Sequence, residues 1–280
     1  DAEDELNRLA GDPATAVGAQ RRLITESLRY GRLEDAEQRL QELLGDRNNT
    51  ALAIYYFAQL AERRGETDRA IQSYRLLADS VMGLTARSSA ARLLVKEGAT
   101  AEALQLLDEH AEQNFDEALE TGLARAHVLV DAGDLKGALA SLDELAKRFP
   151  DHPDIDYTRA TVLESGGRTR QAVAELERAL KLRPEDPQLL NALGYTLADH
   201  KMRLREAEEL VRRALAVSPD NPAIQDSLGW VLYRRGRMEP AIPYLERAWL
   251  NSHDAEIGAH FGEVLWVAGE ESQARYVWQQ

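Results

Sequence analysis

Residues 219–237 read PDNPAIQDSLGWVLYRRGR, and residues 238–254 continue MEPAIPYLERAWLNSHD. Asn221 before Pro222 is a helix-start signal: an Asn side chain can accept from the free amides, and Pro at the first position gives up only an unused N–H. Leu228, Gly229 and Leu232 then fall on one helical face. Gly236 supplies a left-handed stop. A second helix follows, with Ala241, Leu245 and Ala248 at helical spacing, Pro240 at its start and Pro243 in its first turn. The alternation of large and small residues has a mechanical meaning. Two antiparallel helices approach closely only where one offers Gly or Ala, so Gly229 and Ala241 are expected at the joint with Leu228 and Leu245 on its flanks.

The pair is repeated along the chain. Ala36, Ala70, Ala103, Ala138, Ala172, Ala207, Ala241 and Ala274 are separated by 34, 33, 35, 34, 35, 34 and 33 residues. A glycine stands five residues before seven of them, at 31, 65, 98, 133, 167, 236 and 269. Periods of this size mark a stacked array of one supersecondary unit, in which each unit contacts its neighbours.

Composition narrows the function. The 280 residues carry a formal net charge of −14, which disfavours nucleic acid and anionic lipid as partners. With no cysteine, disulfides, thiol nucleophiles and cysteine metal sites are excluded. No apolar run is long enough to span a bilayer, so no direct membrane insertion by this segment is expected. Nucleotide-binding glycine motifs and the nucleophile elbow are absent. The six histidines form no zinc-binding pair. His152 and His253 read as turn residues, and His110 replaces a core alanine. His260 and Glu263, one turn apart, form either a metal half-site or an ordinary surface pair. Neither an enzyme nor a cofactor is expected.

The recurring pattern resembles the tetratricopeptide repeat (TPR). Leu193, Gly194, Leu197, Ala207, Val211, Ala214 and Pro219 match one unit. Ala160, Leu163, Gly167, Ala172, Leu176, Ala179 and Pro184 match another, with Arg159 where a large apolar residue is usual. Phe261, Gly262, Leu265, Gly269, Ala274 and Trp278 match the last. The fold class expected is all-α: a right-handed TPR superhelical solenoid of antiparallel helix pairs. Full units are placed at 17–50, 51–83, 84–118, 119–152, 153–186, 187–221 and 222–254. Residues 1–16 are read as the second helix of a truncated preceding repeat, with Ala2, Leu6 and Leu9 in its register, and 255–280 as a partial C-terminal unit. The register running off both ends leads us to expect an excerpt of a longer array. The unit at 187–221 lacks its turn glycine, and residues 199–205 make a turn one residue longer.

In such repeats the first helix of each unit lines an inner face, and the resemblance assigns unit positions 2, 5, 9, 12 and 13 to it. Read this way, the candidate protein-binding residues are Arg21, Tyr55, Arg63, Arg92, Tyr157, Asn191, Tyr195, Asp226, Trp230, Tyr233, Arg234 and Trp266. The aromatic rings serve either as anchors for a partner or as packing between repeats. Residues 51–100 hold 7 basic and 5 acidic side chains, and residues 101–150 hold 4 and 11, an asymmetry that would orient a partner. The family's Lys and Asn clamp for a C-terminal carboxylate is not found at its spacing.

The stretch from Asn191 to Trp278, with NALGYTLAD and GEVLWVAGE, is similar to outer-membrane TPR lipoproteins of Gram-negative bacteria, in particular pseudomonad lipoproteins that partner a carboxyl-terminal processing protease. That resemblance implies a periplasmic adaptor, anchored through a lipidated N-terminus that the sequence lacks, which binds the protease and presents cell-wall hydrolases to it. A scaffold for envelope polysaccharide or secretion assembly, or the regulatory array of a larger enzyme, stays open as an alternative.

Overall fold

The computed structural model describes residues 2–12, 15–44, 49–111 and 117–280, the first two and last two helical positions of residues 2–111 (2, 3, 110 and 111) by backbone only. The side chains of Ala2 and His110 therefore lie outside the described residues. Every regular element among the described residues is an α-helix. The chain divides into two compact units, Asp1–Ser141 and Leu142–Gln280.

The first unit holds α1 (Ala2–Ala10), α2 (Ala16–Arg29), α3 (Leu33–Leu44), α4 (Thr50–Arg63), α5 (Thr67–Arg75), α6 (Gly83–Lys96), α7 (Thr100–Ala111) and α8 (Ala118–Asp131), and the beginning of α9 (Leu135–Arg148). Ile24, Leu40, Tyr56 and Leu60 build one core cluster, and Tyr74, Leu77, Ala90 and Leu107 build the next. Neighbouring pairs are tied by ion pairs: Arg64 to Glu37 at 2.7 Å and Arg92 to Glu62 at 2.8 Å. Arg87 is almost wholly buried, donating to the Ala78 carbonyl and reaching Glu117 at 2.8 Å.

The second unit takes up the end of α9 and continues with α10 (Pro153–Ser165), α11 (Thr169–Leu182), α12 (Pro187–Asp199), α13 (Leu204–Val217), α14 (Pro222–Arg234), α15 (Met238–Ser252), α16 (Ala255–Val267) and α17 (Glu271–Gln279). Asn221 caps α14 by accepting from the Ala223 amide at 3.0 Å. Asp186 and Asp254 cap α12 and α16 in the same way. α15 starts at Met238, two residues before the proline read as its beginning. Pro243 thus stands in the second turn, where it has no N–H for the Glu239 carbonyl.

All eight periodic alanines are at most 1% exposed, so the period marks the buried joint of each hairpin. The joint is tight. A Cβ on Gly229 would lie 2.5 Å from Leu245 Cγ and 3.2 Å from the Ala241 carbonyl oxygen. One on Gly194 would lie 2.5 Å from Val211 Cγ2.

Gly236, at φ 75°, closes the turn between α14 and α15: its amide donates to Tyr233 O at 2.8 Å and the Arg237 amide to Leu232 O at 2.9 Å. In the turn without glycine the same two bonds form from Lys201 and Met202, to Ala198 O and Leu197 O. Lys201 takes the left-handed conformation at φ 54°, and the inserted residue is absorbed by a second one at Arg203, φ 44°. The turn keeps the hydrogen bonds and accepts a conformation that costs L-residues about 1–2 kcal/mol.

Buried Glu208 on α13 fastens this pair to the next. Arg212 approaches it at 2.7 Å, Arg237 at 3.1 Å, and Arg235 is also bonded to it. Burial pushes the carboxyl upward, but the three guanidiniums outweigh that and hold it below its ordinary value.

Adding bulk at the joint should be felt directly. Gly229→Ala and Ala241→Leu are each expected to destabilise the fold by roughly 1–3 kcal/mol through overpacking. Urea unfolding followed by circular dichroism checks this, and unchanged midpoints would contradict the packing described.

Candidate functional site

The first helices of successive pairs in the second unit, α10, α12, α14 and α16, open onto a cavity of about 770 Å³. Helical spacing builds its wall. Asn191, Tyr195 and Asp199 are four residues apart and make one stripe along α12. Tyr157 and Glu164 come from α10, Asp226 from α14, and Glu256 from α16; Asp254, the cap of α16, completes the rim. Tyr157 is 38% exposed, and Tyr195 and Asn191 are half-buried.

A network of rings and charges lies against this wall. Asp226, 4% exposed, accepts from His260 Nδ1 at 2.9 and 3.1 Å. The His260 ring stacks on Trp230 with centroids 4.1 Å apart and an interplanar angle of 18°, and its other neighbour is Tyr195 at 5.9 Å. Trp230 Nε1 donates to Asp199 Oδ1 at 3.2 Å, while Arg234 covers the indole at 5.1 Å and donates to the Asp199 carbonyl. Tyr195 spans a whole repeat to donate its hydroxyl to Glu256 Oε1 at 2.8 Å. Burial first, and then Glu256, Asp199 and Asp226, push the Tyr195 hydroxyl far above its ordinary value, so it remains a donor.

The structure thus gathers Tyr157, Asn191, Tyr195 and Asp226 around one cavity. Trp230 is 4% exposed and does not line it; it supports His260 and Asp199 from within. Tyr233 packs on Trp230 at 5.4 Å and donates to Glu263 at 3.0 Å, so Glu263 is partner to Tyr233 and His260 to Asp226. Trp266, 40% exposed, lies under Arg275 and beside Trp278. Arg21, Tyr55, Arg63 and Arg92 belong to the first unit: Arg21 and Arg63 are exposed, Tyr55 packs on Tyr56 and Tyr74, and Arg92 is paired with Glu62. Glu256, Asp254 and His200 also line the cavity and were not anticipated. Glu256 sits one turn before His260, which is the signal that would have found it. Among the described residues no group of three or more acids and histidines is arranged to hold a metal, and no helix is long and apolar enough to cross a membrane.

Comparison with known proteins agrees with the repeat. The tetratricopeptide repeat family matches residues 123–187, 157–201 and 203–255. The TPR repeat-containing protein PA4667 of Pseudomonas aeruginosa is 34% identical over 211 residues, 75% of this chain. The chain spans 36% of that relative's length. A tetratricopeptide repeat protein from Parabacteroides merdae aligns over 82% of this chain and 91% of its own, with a TM-score of 0.55 and 13% identity. The APC/C hetero-tetramer Cut9–Hcn1 aligns over 87% of this chain and 48% of its own, with a TM-score of 0.57 and 14% identity. The two structural likenesses bear on the fold alone.

The buried pair gives the site a pH response. Burial works against protonated His260, but Asp226, joined by Glu256 and Asp199, outweighs it and raises the imidazole above its ordinary 6.5. A raised folded-state value means stabilisation that is complete below about 6.5 and fades as pH rises through the higher value. The stability difference between wild type and His260→Gln should therefore shrink as pH rises from about 6.5 through the raised imidazole value, in urea unfolding followed by tryptophan fluorescence. A difference independent of pH would show that the pair is not ionised.

Proposed function

The chain carries tetratricopeptide repeats, and from that premise we propose that it is a non-catalytic scaffold that holds protein partners. The observation carrying this reading is the cavity made by the first helices of four successive pairs, with Tyr157, Asn191, Tyr195 and Asp226 on its wall. Rigid rings beside a few convergent polar groups suit a peptide segment, because they bury area at low entropic cost.

More specifically, the chain is a periplasmic adaptor of the outer membrane, anchored by lipid. It binds a carboxyl-terminal processing protease with one surface and holds a cell-wall hydrolase substrate with another. Support comes from the similarity of residues 191–278 to outer-membrane lipoproteins of this type and from the relative in a Gram-negative bacterium. Its action is positional. Tethering substrate and protease on one body replaces a bimolecular encounter with an intramolecular one, raising the effective concentration of the substrate.

Reconstituted proteolysis tests the adaptor. With protease and hydrolase both dilute, adding the chain should accelerate cleavage by about tenfold or more, and a large excess should slow it again by separating the two partners. Equal rates at every concentration would remove the adaptor role.

A further inference from the structure

Several carboxylates at helix contacts in this fold are neutralised by arginine. Glu208 has three, Asp156 has Arg178, Asp154 has Arg183 and Glu62 has Arg92. The cavity between α10, α12, α14 and α16 is lined differently. Five carboxylates line it, from Glu164, Asp199, Asp226, Asp254 and Glu256, and no lysine or arginine does. Asp226 is matched by His260, Glu164 by His200, and Asp199 has Arg234 nearby. The other two, Asp254 and Glu256, have no arginine or lysine partner among the described residues. Glu256 accepts from the Tyr195 hydroxyl, Asp254 from the amides at the start of α16, and Glu164 from Thr169, with His200 beside it.

Two acceptor atoms there are also left over. Glu164 Oε2 and Asn191 Oδ1 are both buried and bonded to nothing. An unpaired buried acceptor destabilises the free chain, and a donor arriving with a ligand would relieve it. The tyrosine rings of the wall suit such a donor too, since a guanidinium or ammonium is held over the face of an aromatic ring.

We propose that this cavity receives an arginine- or lysine-bearing extended segment of the partner protein. The inference rests on the scaffold reading and names the chemistry it selects. The cationic side chain takes the place that arginine fills at the other inter-helix carboxylates, with donors to Glu256, Glu164 and Asn191. The remaining volume accommodates its neighbours in the segment. Attraction between unlike charges also speeds the encounter and makes it depend on salt.

The test uses the 280-residue chain and fluorescent randomised heptapeptide pools, each with one central residue fixed: arginine, lysine, citrulline or glutamate. Citrulline keeps the shape of arginine and removes its charge. In fluorescence anisotropy at about 0.1 M salt, the arginine and lysine pools should bind about tenfold or more tightly than the citrulline and glutamate pools. The Glu164→Gln/Glu256→Gln double variant, with an unchanged circular dichroism spectrum, should lose most of that preference. Equal binding of arginine and citrulline pools would overturn the cation claim and leave a peptide-binding cavity standing. Binding by no pool would overturn the cavity as a peptide site, while adaptor-dependent proteolysis would still report on the scaffold reading.

Discussion

Two helices can lie flat against each other only where one of them has almost no side chain. At Gly229 the neighbouring Leu245 and the Ala241 carbonyl already fill the space a methyl group would need, and Gly194 meets Val211 in the same way. The rest of the second unit depends on this contact. It fixes the hairpin, and a hairpin so narrow cannot bury its own apolar residues. Leu190, Leu228, Val231 and Leu245, all fully buried, find cover only when pairs stack. Stacking brings first helices beside first helices, and that adjacency creates the cavity.

Polar groups set the order of the stack more than its strength. Glu208 holds three arginines from its own and the following pair, and Trp230 reaches back to Asp199 while His260 reaches back to Asp226. All of these contacts except that of Arg212 join residues about one repeat apart in sequence. A partner removed from Glu208 would leave charge stranded at low exposure, a larger penalty than the gain from forming the pair at the surface. In the cavity this neutralisation is incomplete: Asp254 and Glu256 have no arginine or lysine partner among the described residues.

Much of this was legible in the residues. The alanine period marks the joint because only a small side chain fits there, and Asn221 before Pro222 announces a helix start through its capping chemistry. Other features were hidden for definite reasons. Trp230 reads as an exposed anchor because its helix position faces the groove, but the histidine of the following pair stacks over it. The bond from Tyr195 to Glu256 skips a repeat, so no comparison of adjacent units reveals it. Lys201 in a left-handed turn follows from an inserted residue whose bonds the backbone still satisfies. The pairing of Asp226 with His260 lies between, since they occupy adjacent positions, the fifth and the sixth, of successive units.

The central claim is that the face built by first helices is where a partner is held. Hydrogen exchange of the chain, alone and with a bound hydrolase substrate, addresses it most directly. The account predicts slowed exchange in residues 153–165, 187–199, 222–234 and 255–267, with α11, α13 and α15 unchanged. Protection confined to those second helices, with the first helices exchanging as in the free chain, would contradict it.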